Sequence, residues 1–129
     1  MAFDTVRIGD APVVAAPDGS EVRVLCGVGR GGMARFTLPP RAVSRAVAHR
    51  TVEEVWCFTS GRGRMWRRLG GDEETVEVGP GPSVAIPVGT RFQFRSDSDE
   101  PLSAIGATMP PWPGEGEAFA VEGPWQPTV

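Results

Sequence analysis

The segment His49–Gly61, HRTVEEVWCFTSG, holds the only histidine of the chain and sets a carboxylate, Glu54, five residues after it. Glu53 and Glu54 open a short run, Val55-Trp56-Cys57-Phe58, that ends in Thr59-Ser60-Gly61-Arg62-Gly63, a turn composition. Side chains at even spacing share one face of a strand. Glu54, Trp56 and Phe58 therefore point one way, and Val55 and Cys57 the other. A carboxylate sharing a face with two aromatics predicts an interior site. The approach to the histidine, Ala46-Val47-Ala48, is small and apolar, which agrees with that placement.

Outward from this segment the chain reads as strand after strand. Upstream, Glu21 to Cys26 alternates with Val22, Val24 and Cys26 on one face, and Gly27 to Gly32 turns the chain into Met33–Leu38, which Pro39-Pro40 ends. Thr5 to Ile8 reads as a first short strand, followed by a Pro/Asp/Gly-rich connector through Ser20. Arg41 to Arg50 is rich in alanine, but it is short and carries β-branched Val43 and Val47, so it reads as a loop running into strand. Downstream, Arg64–Arg68, Thr75–Val78, Ser83–Ile86, Arg91–Arg95 and Leu102–Met109 are strands separated by turn residues. Trp66 among arginines reads as an edge strand with solvated arginines, or as a subunit contact. Many short strands at regular spacing indicate a β-sandwich or barrel rather than an α/β fold.

Two motifs resemble those of the cupins. Their first motif runs Gly, five residues, His-x-His, three or four residues, Glu, six residues, Gly, and His49, Glu54 and Gly61 match its second half. Their second motif begins Gly, five residues, Pro-x-Gly, matched by Gly81 and Pro87-Val88-Gly89. Arg41 stands at the first glycine, Val47 at the first histidine, Phe92 at the histidine of the second motif and Ser96 at its asparagine. The resemblance implies an all-β, double-stranded β-helix (cupin or jelly-roll) barrel over residues 1–109, with its core from Glu21 to Met109. It also implies that two of four expected metal ligands are gone. Were a metal bound, His49 and Glu54 would be the first ligands to consider. A homodimer is common among proteins of this kind and is expected here.

Composition narrows the function classes. The chain has 129 residues, a single-domain length able to bury one core, with 40% hydrophobic residues and a net charge of -3. All basic residues are arginines, scattered from Arg7 to Arg95, so a nucleic-acid partner is not expected. No apolar run approaches the ~20 residues of a membrane span, and the start, MAFDTVRIGD, has no secretory pattern, so a cytoplasmic location is expected. Cys26 and Cys57 are then expected as reduced thiols packed in the core. Without lysine or tyrosine, neither a lysine Schiff base nor a tyrosine acid is available. Residues 110–129, rich in proline and holding Trp112 and Trp125, read as an extended tail that packs on the barrel or on a second subunit.

Three uses of the site follow. A metal site needs about three converging protein ligands, and one histidine excludes the common histidine-rich sets within one chain. Acid–base catalysis would use His49 as general base or acid with Glu54 orienting it, in an isomerisation, cyclisation or elimination. Binding without turnover would use His49 and Glu54 as polar anchors in a pocket walled by Val47, Trp56, Phe58 and Phe92. Arg35 and Arg64, on flanking strands, would add affinity for an anionic group if they point inward. The reading taken forward is a small-molecule-binding protein with no cofactor, its ligand organic and anionic or aromatic, with the enzyme as alternative. Against both stands a structural reading: His49 simply paired with Glu54, and the aromatics simply core.

Overall fold

Alternation of inward and outward side chains builds nearly the whole molecule. The computed structural model describes residues 3–129; Met1 and Ala2, at the start of the expected barrel domain, lie outside the described residues. Eleven strands run in order β1 (Val13–Ala15), β2 (Glu21–Val28), β3 (Gly31–Leu38), β4 (Val47–His49), β5 (Glu53–Ser60), β6 (Gly63–Leu69), β7 (Asp72–Val78), β8 (Ser83–Ile86), β9 (Arg91–Ser96), β10 (Leu102–Met109) and β11 (Ala118–Ala120). They form two antiparallel sheets, one ordered β1-β2-β3-β10-β5-β8 and the other β11-β4-β9-β6-β7. Strands β4 and β5 follow each other in sequence but lie in opposite sheets, so the chain winds between the two layers as a jelly roll. Among the described residues, no helix is long and apolar enough to cross a membrane.

The core lies between the sheets. In β5 every second residue is buried, Glu54, Trp56 and Phe58, while Val55 and Cys57 face out. Trp56 joins the layers. Its ring stacks on Phe36 of β3 at 4.5 Å between centroids and meets the edges of Phe92 and Phe94 of β9 at 5.9 and 5.1 Å. Leu38, Met65, Ile86 and Leu102 close the rest of the interior.

Two backbone positions explain motif residues. Gly61 has φ of 80°, and a Cβ there would lie 2.4 Å from the Pro101 carbonyl oxygen, so only glycine fits. Arg41, standing where the related motif has its first glycine, has φ of 63°, the one positive value at a non-glycine among the described residues. The left-handed turn is kept without the glycine. Arg41 holds it from outside, donating from Nη1 to the Asp97 carbonyl at 3.0 Å and from Nε to Asp99 at 3.2 Å.

Three sequence expectations are corrected. Thr5–Ile8 is not a strand; Ile8–Asp10 is a 3₁₀ turn and the first strand is β1, because the edge of β2 is completed by Val13–Ala15. The Trp66 strand is not an edge: β6 lies between β9 and β7, and Trp66 is buried, its indole donating to Glu73 at 2.7 Å. Neither cysteine is core. Cys57 occupies an outward position of β5 and is exposed, and Cys26 is half-buried in β2; both are free thiols. The tail is more than an extended strap, since β11 pairs with β4 and extends the second sheet. Its far end is held by buried Gln93, whose amide donates to the Ser44 and Trp125 carbonyls and accepts from Trp125 N–H.

Gly106 of β10 faces Trp56 across the strand pair, and a Cβ there would lie 2.6 Å from Trp56 and 2.8 Å from Phe36. Gly106→Ala is therefore expected to destabilise the fold by about 1–3 kcal/mol through overpacking. Urea unfolding should show a lower midpoint with an unchanged slope; an unmoved midpoint would contradict the stacked arrangement.

Candidate functional site

Strands β4 and β5 carry the site because they end and begin on either side of one short loop. His49 closes β4 and Glu54 sits second in β5, so a crossing of four residues brings the imidazole and the carboxyl from opposite sheets face to face. Nδ1 of His49 lies 3.9 Å from Oε2 of Glu54. Both are nearly shut from solvent, 6% and 3% exposed. The other Glu54 oxygen, Oε1, accepts the Trp56 indole N–H at 2.7 Å. Among the described residues Nδ1 of His49 has no hydrogen-bond partner, and the atom is closed to solvent. The imidazole is held by ring edges instead, Phe92 at 5.3 Å and Trp112 at 5.0 Å.

Both groups open onto a cavity of about 410 Å³ between the sheets, inside the ~300–1,000 Å³ range of small-molecule sites. Its wall is mostly apolar, with Val22, Phe36, Val47, Trp56, Phe92 and Trp112 among the lining residues and Asp18, His49, Glu54 and Thr108 as its polar side chains. Val47 and Phe92 are direct partners across β4 and β9. The four positions that correspond to ligand places in the related motifs, 47, 49, 54 and 92, thus meet around one cavity, 54 on one sheet and the other three on the opposite one.

Burial sets the protonation of this pair. It pushes the Glu54 carboxyl up from 4.5 to about 7, against the Trp56 hydrogen bond and helped by the negative charge of Asp18 and Glu117. Burial also lowers the His49 pKa below 6.5, although the Glu117 carboxylate works to raise it. Just below pH 7 the pair is therefore mostly a protonated carboxyl beside a neutral imidazole. Glu117 itself is pushed up by burial, but hydrogen bonds from the Thr51 hydroxyl and from the Thr51 and Val52 N–H groups, with the nearby His49, hold it below its ordinary value.

Of the residues expected at the site, the structure brings together His49, Glu54, Val47, Trp56 and Phe92. Phe58 is buried in the core beside Trp56 and does not line the cavity. Arg35 and Arg64 do not reach it. Arg35 alternates with inward Ala34 and Phe36 and so faces away, and Arg64 is on the outer surface, paired with Asp97 at 3.1 Å. An anion site built on those two arginines is therefore corrected. Three residues were not legible from pattern: Asp18, which reads as a turn residue in Asp-Gly-Ser, and Trp112 and Glu117, which read as tail.

Comparison with known proteins agrees with this geometry. A family model described as "Cupin domain" matches residues 34–107. The chain belongs to the cupin family. Comparison with curated proteins finds no match. Among solved structures, a variant of Streptomyces PAC13 with uridine superposes with a TM-score of 0.72 at 13% identity, covering 95% of this chain and 92% of that one; Pac13 is described as a unique nucleoside dehydratase. A recombinant oxalate oxidase in complex with glycolate gives 0.73 at 15% identity, with 91% of this chain and 62% of that one covered. The capsular polysaccharide assembling protein CapF from Staphylococcus aureus gives 0.68 at 21%, covering 86% of this chain and 34% of that one. At these identities the likeness is one of fold.

Cupins commonly hold a metal, and the donor set here does not fit one. Val47 and Phe92 offer no donor atom, and among the described residues no three His, Cys, Asp or Glu side chains are grouped as a metal ion requires.

The raised Glu54 value has a measurable sign. The unfolded chain releases this proton above pH 4.5 while the folded protein keeps it to about 7, so the contribution to stability is complete below pH 4.5 and lost as pH rises through 7. The full span is worth up to roughly 3 kcal/mol. Glu54→Gln should therefore gain stability relative to the unsubstituted protein between pH 5 and pH 8 in paired urea titrations. A difference that does not change with pH would show that Glu54 is already ionised in the fold.

Proposed function

We propose that this cupin is a metal-independent acid–base enzyme, a lyase or isomerase acting on a small organic molecule bound in the cavity between the sheets. The observation that carries the reading is His49, its Nδ1 unpartnered, 3.9 Å from a buried carboxyl whose pKa is pushed up to about 7, with both side chains on the cavity wall. A histidine serving only the structure would be expected to have its nitrogen satisfied. Instead the pair sets an imidazole unpartnered at Nδ1 beside a carboxyl of raised pKa, on the wall of a space for a ligand.

Groups this close serve one face of a substrate. In an elimination, the His49 imidazole takes a proton from carbon, the C–H electron pair forms the new double bond, and the C–O bond breaks on the neighbouring carbon. The departing oxygen takes the Glu54 proton from Oε2, the oxygen that the Trp56 indole leaves free. Water leaves, and the proton on His49 crosses back to Glu54, restoring the pair. In an isomerisation the same two groups move a proton between adjacent atoms and nothing departs. The likeness in fold to a nucleoside dehydratase supports the elimination. The apolar wall supports a ligand with a ring or other flat body, and Trp112, 39% exposed at the mouth, stands where it would cover that ligand. Binding without turnover uses the same cavity and is the outcome to separate.

The deciding experiment incubates the protein in deuterated water with nucleosides and small hydroxy-carbonyl compounds, and reads loss of water or uptake of deuterium by mass spectrometry. Turnover is expected to fall by about 10²–10⁴ in His49→Gln, with ligand binding retained. Undiminished turnover in that variant would overturn the assignment of His49, and binding with neither exchange nor elimination would leave a binding protein.

A further inference from the structure

The cavity has an acidic end that the proposed proton transfers do not use. Asp18, in the turn between β1 and β2, is 5% exposed and lies on the cavity wall. The Ser20 N–H donates to its Oδ1 at 2.9 Å and the Ser20 hydroxyl to the same oxygen at 2.7 Å. Both bonds end on Oδ1, leaving Oδ2 to accept from a ligand. The Asp18 carbonyl accepts the Arg45 N–H at 2.8 Å, which ties the turn to the segment leading into β4. The carboxyl is therefore fixed in direction at a buried position on the cavity wall.

What surrounds it decides the kind of ligand. No arginine lines the cavity, and its remaining polar side chains are His49, Glu54 and Thr108. An anion entering would leave water for an apolar wall with no cation to meet it, and burying an unpaired charge is strongly unfavourable. A hydroxyl or an ammonium loses nothing comparable, because a buried carboxyl waits to accept its hydrogen.

Building on the functional reading above, we propose that Asp18 is the specificity-determining residue of the cavity: its Oδ2 accepts a hydrogen bond from a hydroxyl or ammonium group of the ligand, and ligands carrying an anionic group are rejected. Asp18 selects the ligand while His49 and Glu54 act on it.

Matched probes test this on the intact protein by calorimetry and ligand-observed NMR: benzyl alcohol, benzylamine and benzoate as one set, uridine and uridine 5′-monophosphate as another. The alcohol or the amine is expected to bind about tenfold or more tightly than the acid, the better of the two naming the donor, and uridine more tightly than its monophosphate. Asp18→Asn should narrow that gap about tenfold. Ser20→Ala, which keeps the carboxyl but removes one of the two bonds that brace it, should weaken the alcohol or amine and leave the acids rejected; this variant carries the test if Asp18→Asn does not fold. Acids that bind as well as their neutral or cationic partners would overturn the proposal alone, as would undiminished discrimination in folded Asp18→Asn. Binding by none of the probes would overturn it together with the functional reading.

Discussion

The indole of Trp56 is the contact on which core and site both depend. Its face lies on Phe36 of one sheet, its edges meet Phe92 and Phe94 of the other, and its N–H reaches Glu54. A buried indole N–H needs an acceptor and a buried carboxyl needs a donor. Two-residue spacing on one face of β5 lets each satisfy the other without a third group. The position of the acid is thus set by the packing of the core, and the site inherits the rigidity of the sheet pair rather than the mobility of a loop.

That same burial explains why the pair is neutral. Transferring a proton from Glu54 to His49 would create two charges in a poorly solvated space, and their attraction at 3.9 Å competes with the loss of hydration of both. The balance falls to the uncharged forms, carboxylic acid and imidazole. Val47 and Phe92 add apolar wall beside the pair, and burial in such surroundings raises the carboxyl and lowers the imidazole.

Segments distant in sequence line the cavity or brace the loop beside it. Asp18 arrives from the β1–β2 turn, Trp112 from just after β10, and Glu117 from just before β11, where it accepts from the loop joining His49 to Glu54. Pairing of β11 with β4 and the buried amide of Gln93 hold this tail to the second sheet. Residues 110–129 are therefore part of the site's construction, since Trp112 packs against the imidazole itself.

Much of this was legible in the residues. Period-two alternation in Glu21–Cys26, Met33–Leu38, Glu53–Phe58 and Arg91–Arg95 declared an all-β chain, because one face of each strand had to be apolar to be buried. The spacing of His49, Glu54 and Gly61 placed the acid on an inward face beside Trp56. What alternation cannot carry is the identity of neighbours across sheets. Asp18-Gly19-Ser20 has the composition of any surface turn, and nothing local says that its carboxyl faces a cavity. Arg35 and Arg64 could be placed on strands but not on a side, since a one-residue change of register reverses every side chain. Trp66 was assigned to an edge because arginines surround it, yet β7 covers it and takes the edge position. The sequence by itself determined the fold class and the chemical pair, both of which rest on short-range spacing along single strands. Only the tertiary structure decided which carboxyls, rings and charges share the cavity with that pair, because those contacts join residues far apart in the chain through packing between two sheets.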